Sequence, residues 1–369
     1  MEKGDFHESA SAAGVWRGLD AAANRAGEAL RVVEDTLRFV LDDPFLTQAA
    51  KQLRHDLAAI LARADLPLRV TMRDVHGDVG AGSRAEAALG RHTPADIIAA
   101  NAARGAQALR TLQEYAAMIA VDAADHFERL RYRLYTLERA AVGGARSADR
   151  LAGVSLCVLV DGRGDSDGFS SFVASLFEAG VRMIQIRDKH LPVPGLVDRT
   201  RLALEAARRH SHDAGVPRPI VIVNDRVDIA AALEADGVHI GEDDLPTPLV
   251  RRVIGPRGMV GRTAHTLAEA EAAVLDGADY LGVGPCYPST TKTFDSFAPP
   301  DFLRSVGLTV GLPAFAIGGV TIDRLDALAA MGIRRVAVAS AVTAAANPPQ
   351  AARDLIERLE SLPTRERHP

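Results

Sequence analysis

The stretch VIVNDRVDIAAALEADGVHIGEDD, residues Val221 to Asp244, decides the fold. It reads as a short buried strand (Pro219 to Val223), a polar end (Asn224, Asp225) and a short helix (Val227 to Leu233). A second strand (Asp236 to Ile240) and a second acidic end (Glu242, Asp243, Asp244) follow. Two apolar strands joined through a helix belong to a parallel sheet, in which the C-terminal ends of successive strands lie side by side on one face. Asp225 and Asp244 should therefore approach each other. Two such carboxylates repel unless a cation sits between them, and hard oxygen ligands favour Mg²⁺, with substrate phosphates completing its shell. The alternative is that each Asp only caps a helix.

Outward from this unit, from Val154 on, short apolar runs alternate with helical segments. Strands are predicted at 155–160, 182–187, 219–223, 236–240, 259–262, 278–283, 313–317 and 335–339, with helices such as 168–179, 193–214, 247–254, 266–276 and 321–331 between them. Eight β/α units in roughly 210 residues match a TIM (β/α)8 barrel better than an open doubly wound sheet. Neither a GxxxxGK[ST] loop nor a GxGxxG fingerprint occurs.

Upstream the texture is helical. Ala22, Ala26, Ala29, Leu30, Val33, Leu37 and Val40 form one apolar face that ends at Asp42-Asp43-Pro44, and Leu53, Leu57, Ile60 and Leu61 carry a second helix. Leu68 to Met72 reads as a strand or extended segment, and Asp74 to Ser83 as a Gly-rich loop. Pro94 opens a third helix, and Phe127, Leu130, Leu134 and Leu137 outline a fourth. Residues 1–140 are thus a small, mostly α-helical domain. The glycine-containing segment 141–150 has the composition of a linker, and the barrel takes 151–362. Glu28-Ala-Leu-Arg-Val-Val-Glu-Asp35 is echoed by Gln107-Ala-Leu-Arg-Thr-Leu-Gln-Glu114. The echo predicts similar settings for Arg31 and Arg110, unless it only reflects the low complexity of Ala/Leu/Arg helices.

The 369 residues are 47% apolar, enough for two cores, and the formal net charge is −5. No basic stripe or polybasic tail suggests nucleic acid or an anionic membrane as partner. The polar start MEKGDFHESA lacks the order of a secretion signal and no apolar run reaches the length of a membrane span, so a cytoplasmic protein is expected. The two cysteines, Cys157 and Cys286, form neither a disulfide framework nor a metal-ligand pair. A homo-oligomer is compatible with all of this.

A barrel enzyme keeps its site where the chain leaves the strands. After strand 2, alternation turns Gln185, Arg187 and Lys189 to one side, where two cations and an amide suit a polyphosphate; an exposed charged strand end would look similar. After strand 5 comes Gly261-Arg-Thr-Ala-His265. After strand 6 comes Gly284-Pro-Cys-Tyr-Pro-Ser-Thr-Thr-Lys292, stiffened by two prolines and rich in hydroxyls. Ile317-Gly318-Gly319 after strand 7 and Ser340 after strand 8 stand where many barrels bind a phosphate on backbone N–H groups. A diphosphate–Mg²⁺ site and a monophosphate site on one mouth imply the joining of two phosphorylated small molecules with diphosphate as leaving group.

Gln185-x-Arg187-x-Lys189, Asn224-Asp225-Arg226, Asp236-Gly-Val-His-x-Gly241-x-x-Asp244, Gly284-Pro-x-Tyr-Pro-Ser-x-Thr291-Lys292 and Ala316-Ile-Gly-Gly319 resemble the thiamine-phosphate synthase family, across residues 151–345. The resemblance implies condensation of 4-amino-2-methyl-5-hydroxymethylpyrimidine diphosphate with 4-methyl-5-(2-phosphoethyl)thiazole. In that family diphosphate departs first and the thiazole nitrogen attacks the resulting pyrimidine cation. The resemblance assigns Mg²⁺ to Asp225 and Asp244, and the pyrimidine diphosphate to Gln185, Arg187, Lys189, Asn224 and Lys292. It sets Thr263 near the cation and leaving group, Ser289 and Thr291 on the thiazole phosphate, and Gly319 and Ser340 on phosphate and pyrimidine. Arg187, Thr263 and Lys292 would be the catalytic groups. The chain departs from the family pattern at Glu242 (usually Gln), Thr263 (Ser), Ser289 (Thr) and Tyr287 (Phe), and Glu242 adds a negative charge beside the proposed metal. The related thiazole tautomerases are the rival reading.

The helical region, through Asn24-Arg25, Glu28 to Asp35, Leu53-Arg-His-Asp56, Arg73-Asp74, Gly77-Asp78-Val79-Gly80 and Leu130 to Glu138, resembles a small domain fused to some of these synthases and proposed to be a hydroxymethylpyrimidine-phosphate kinase. That implies ATP as a second cofactor and Arg31, Glu34, Arg54, His55, Asp56 and Asp78 as its working residues. The alternatives are surface and interhelical salt bridges for these residues, and a non-catalytic oligomerisation or substrate-handoff role for the domain.

Overall fold

The computed structural model describes residues 10–63, 66, 70, 90–162, 164–288 and 296–363. The chain divides into two compact units at Ala145/Arg146. The first contains α1 (Ala10–Phe39), α2 (Pro44–Leu61), α3 (Pro94–Ile119) and most of α4 (Val121–Arg150). Local signals set the helix starts. Asp43 accepts the Leu46 N–H at 2.9 Å ahead of Pro44, and Thr93 and Asp96 form a reciprocal capping box ahead of Pro94. On α1 the apolar face includes Trp16, Leu19, Ala22, Ala26, Leu30, Val33 and Leu37, all buried. The helix begins well before Ala22, where the apolar face was first read.

The segment 141–150, expected to be a linker, is instead the end of α4. Glycine lowers helix propensity by only about 1 kcal/mol relative to alanine, and an established helix runs through Gly143 and Gly144 when its other residues are anchored. Ser147, fully buried, donates to Asp279 Oδ1 at 2.7 Å, and Arg150 donates to the Arg257 carbonyl O at 2.7 Å.

The second unit is the expected barrel. Its elements run β1 (Leu156–Val160), α5 (Ser166–Glu178), β2 (Met183–Ile186), α6 (Val193–Ala214), β3 (Ile220–Asn224), α7 (Val227–Ala232), β4 (Gly237–Ile240) and α8 (Thr247–Ile254). Then come β5 (Met259–Ala264), α9 (Leu267–Asp276), β6 (Tyr280–Val283), α10 (Pro300–Thr309), β7 (Ala314–Ile317), a 3₁₀ turn (Ile322–Arg324), α11 (Leu325–Ala330), β8 (Arg335–Val338), α12 (Ser340–Thr343) and α13 (Pro348–Ser361). All eight strands are parallel and close in sequence order, β8 pairing with β1.

Alternate strand residues fill the interior. Cys157, Leu159, Met183, Ile220, Ile222, Met259, Tyr280, Phe315 and Ala337 pack together with Leu151 and Val154. The register sets glycines beside the large inward side chains: Gly261 pairs with His239 on one side and Tyr280 on the other, and Gly282 pairs with Thr263. A Cβ at Gly261 would collide with the Tyr280 ring and with His239. Cys157 and Cys286 are buried, and burial pushes both thiols up to about 12. Among the described residues no helix is long and apolar enough to cross a membrane.

Candidate active site

The C-terminal ends of the strands surround a cavity of about 370 Å³. Gln185, Arg187 and Lys189 enter it from β2, Asn224 and Asp225 from β3, Asp244 from the loop after β4, and Thr263 from β5; Gly319 and Ser340 close the far side. Ser289, Thr291 and Lys292, and the Thr290 to Asp295 segment considered as a lid, lie outside the described residues. Thr263 sits within β5 rather than after it, because the strand continues to Ala264 and alternation keeps Gly261 and Thr263 facing inward.

The two aspartates meet as the strand order predicts. Their carboxyls are within hydrogen-bond reach, and the Asp225 carboxyl is raised above its usual range, first by burial and then by the Asp244 charge, against the pull of Lys189 and Arg187. Neither caps a helix. The N-caps of α7 and α8 are Arg226 and Pro246, neither with a side-chain cap, while Asp244 accepts the Gly241 N–H at 2.7 Å and thereby folds its own loop. Asp225 has φ +61°, a left-handed conformation that Asp and Asn tolerate better than other non-glycine residues. Its N–H donates to the His239 carbonyl O at 2.8 Å, which holds the turn against β4.

The cationic edge is held from behind. Asp188, between Arg187 and Lys189, accepts N–H groups from Gly162 at 2.9 Å, His190 at 2.8 Å and Leu191 at 3.0 Å. Burial raises its pKa, but these three donors more than reverse that, so Asp188 stays below the usual carboxylate range and ionised.

Beneath these groups runs a buried polar chain that the strand-end reading passed over. His239 Nδ1 lies 3.3 Å from the Tyr280 hydroxyl and Nε2 lies 3.0 Å from Thr263 Oγ1, while the Gln185 side chain reaches the same Tyr280 hydroxyl. Burial first, then Arg187 and Arg262, lower His239 to about 4 against the attraction of Asp244, so the ring is neutral near pH 7. A neutral imidazole has one donor and one acceptor nitrogen, enough to orient both hydroxyls. The signal available in the sequence was a histidine inside an apolar strand, two residues after a glycine.

On the far side Gly318 and Gly319 have φ +91° and +61°. A Cβ on Gly319 would strike the Pro288 carbonyl O, and one on Gly318 would stand 2.8 Å from Pro285 Cα, so the β7 loop packs backbone to backbone against the β6 loop.

Among the described residues the lining holds four carboxylates (Asp225, Glu242, Asp243, Asp244) against two cations (Arg187, Lys189). No cluster of three or more His, Cys, Asp or Glu suited to a metal occurs among the described residues. Two adjoining half-buried carboxylates with an open side fit a hard divalent cation whose shell is completed by ligand oxygens and water.

The N-terminal candidates behave differently. Glu34 takes Arg54 at 2.7 Å, Asp56 takes Arg133 at 2.6 Å and Gln52 at 2.8 Å, and Arg31 pairs with Asp35 at 3.2 Å. His55 is exposed on α2, and Asp78 lies outside the described residues. As the echo predicts, Arg110 repeats the Arg31 arrangement by pairing with Glu114 one turn on.

A closed parallel barrel with cations, paired carboxylates and a diglycine loop at the C-terminal mouth defines a (β/α)8 enzyme that works on phosphorylated compounds. Residues 156–342 match the family model described as thiamine monophosphate synthase, and the chain belongs to that family. Residues 17–140 match the ThiD2 family. A thiamine-phosphate synthase of Rhodopirellula baltica is 37% identical over 362 residues, covering 95% of this chain and 94% of its own. One of Gloeobacter violaceus is 37% identical over 345 residues, covering 94% and 97%. Both alignments span the helical unit as well as the barrel. Among solved structures, a thiamine phosphate pyrophosphorylase from Pyrococcus furiosus aligns at 28% identity over 56% of this chain and 96% of its own, with a TM-score of 0.48.

Proposed function

We infer that the barrel condenses 4-amino-2-methyl-5-hydroxymethylpyrimidine diphosphate with 4-methyl-5-(2-phosphoethyl)thiazole to give thiamine phosphate and diphosphate. The observation that carries this reading is the meeting of the Asp225 and Asp244 carboxyls with Gln185, Arg187 and Lys189, which suit a diphosphate, in one mouth. Asp225 and Asp244 would hold Mg²⁺, which when bound supplies the charge that makes diphosphate a better leaving group.

Arg187 and Lys189 bind the diphosphate oxygens and offset the negative charge that grows on them as the C–O bond to the pyrimidine methylene breaks. Gln185 and Asn224 add uncharged hydrogen bonds that fix its orientation. Thr263, oriented by His239, presents its hydroxyl to the reacting centre, and no strong base is required because the attacking thiazole nitrogen carries no proton. Gly319 and the start of α12 at Ser340 offer backbone and hydroxyl groups to a phosphate. Lys292, Ser289 and Thr291 keep the roles the resemblance implies. A thiazole tautomerase has no use for a diphosphate edge, and the convergence of Gln185, Arg187 and Lys189 with both aspartates argues against that rival.

For the helical unit the ThiD2 match supports ATP-dependent phosphorylation of the pyrimidine monophosphate, the step that supplies the barrel. The ion pairs of Glu34, Arg54 and Asp56 favour a structural role for those residues within it. Asp244→Ala should abolish Mg²⁺-dependent thiamine phosphate formation from the pyrimidine diphosphate while the far-UV spectrum is unchanged; retained activity would overturn the metal assignment. Supplying the full-length protein with ATP, pyrimidine monophosphate and thiazole phosphate tests the kinase step. Thiamine phosphate should form, and its absence when the diphosphate control works would leave the unit as a non-catalytic module.

A further inference from the structure

The helical unit has a concavity of its own, about 610 Å³, between α1 and α3. The sequence echo relates these helices at a constant offset that carries Glu28 onto Gln107. Under that offset Arg25 falls on Arg104, Ala29 on Ala108 and Val32 on Thr111, and all four pairs line this one cavity. Corresponding faces of α1 and α3 therefore turn toward one cavity.

The arginines of this repeat divide into two kinds. Arg31 and Arg110 are each neutralised by an acid one turn on, Asp35 and Glu114. Arg25 and Arg104 are exposed and carry no ion pair among the described residues. They are the pair that faces the cavity. Among the described residues Glu28 is the one carboxylate in the lining, set against two cations. Ala29 and Ala108 keep the floor shallow and apolar. The buried Asn101, which also lines the cavity, donates its Nδ2 to the Ile97 carbonyl O at 2.8 Å. The departures from the echo put Asn101, Gln107 and Thr111 on α3 opposite Ala22, Glu28 and Val32 on α1. The two walls of the cavity are thus chemically unlike, with three uncharged hydrogen-bonding side chains on α3.

We propose that this groove binds a small phosphorylated molecule, with Arg25 and Arg104 clamping the phosphoryl group from opposite sides. Guanidinium forks match phosphate oxygens in pairs, and an anion between two otherwise unpaired arginines offsets their mutual repulsion. The assignment is independent of whether phosphoryl transfer takes place in this unit. A nucleotide and a phosphorylated pyrimidine share the chemistry, and the test separates them.

The experiment is calorimetric titration of the full-length protein with ATP and, separately, with hydroxymethylpyrimidine monophosphate. Wild type is compared with Arg25→Gln/Arg104→Gln and with Arg38→Gln/Arg110→Gln, which removes the same charge from the same two helices away from the groove; melting curves check that each variant is folded. At least one probe should bind the groove variant roughly tenfold or more weakly than wild type, a loss typical of charge-assisted hydrogen bonds, and the control variant should bind as wild type does. The probe affected names the occupant. Equal binding of both probes to wild type and groove variant, or an equal loss in both variants, would overturn the proposal.

Discussion

Replacing Asp225 by Asn should stabilise the metal-free protein while removing its synthase activity. The Asp225 and Asp244 carboxyls adjoin, and the Asp225 carboxyl is raised by burial and by the Asp244 charge. Two unit charges about 4 Å apart repel by about 1 kcal/mol in bulk water and about 4 kcal/mol at the effective dielectric of a protein surface. Asp225 is half-buried, and Arg187 and Lys189 oppose the repulsion, so the gain falls near the lower limit, about 1–2 kcal/mol. Asn also suits φ +61°, leaves the N–H donation to the His239 carbonyl in place, and can donate to the Asp244 carboxylate. For a barrel of this size the gain corresponds to a rise of roughly 2–8 °C in melting temperature. Melting curves in chelator and in Mg²⁺ with diphosphate read both halves of the argument. Wild type should melt lower than the variant in chelator and gain stability with Mg²⁺ and diphosphate, whereas the variant should gain little. Turnover should fall roughly 100-fold or more, as for the loss of several kcal/mol of transition-state charge stabilisation. A variant that melts below wild type in chelator, or one that keeps Mg²⁺-dependent turnover, would refute the reasoning.

Three further outcomes are expected. Tyr280→Phe removes the hydroxyl between His239 and Gln185 and should cost about 1–3 kcal/mol in denaturant unfolding by leaving a buried ring nitrogen unsatisfied; it should lower kcat more than it raises the KM for the thiazole phosphate. Glu242→Gln removes one of the four lining carboxylates, so the Mg²⁺ concentration giving half-maximal rate should rise several-fold, as read from metal titrations of initial rate. Glu34 is buried beside Arg54. Burial alone would raise its pKa, but the Arg54 hydrogen bond and charge, with Arg31 and Lys51, hold it below the ordinary 4.5. A carboxyl depressed in the folded state contributes stability above its unfolded pKa and loses it as pH falls through the folded value. The helical unit should therefore lose stability below about pH 4.5, and Glu34→Gln should flatten that acid limb in urea titrations at several pH values.

Much of the site was legible because a parallel barrel converts strand ends into one surface. Once Asn224-Asp225 and Asp244 are seen to follow consecutive strands, their proximity needs no further information. The same rule gathered Gln185, Arg187, Lys189, Gly319 and Ser340. It passed over His239 and Tyr280, because a side chain one layer below the rim is visible only through its cross-strand neighbours, here Gly261 and Gly282. The helical form of 141–150, inside which the two units divide, was missed for a related reason: its glycines disfavour a helix locally, and the contacts of Ser147 and Arg150 that anchor it come from residues more than a hundred positions away.

The sequence by itself determined the eight-strand barrel, the helical unit before it and the acidic, cationic and glycine-rich ends of the strands, because apolar periodicity and turn chemistry are local properties. Only the tertiary structure decided which polar groups meet. It joined His239 to Tyr280 and Thr263, paired Glu34 with Arg54 and Asp56 with Arg133, and set Arg25 and Arg104, which form no ion pair among the described residues, around one cavity. Charge pairing depends on distances of a few ångströms between residues far apart in the chain, and those distances exist only once the helices and strands have packed.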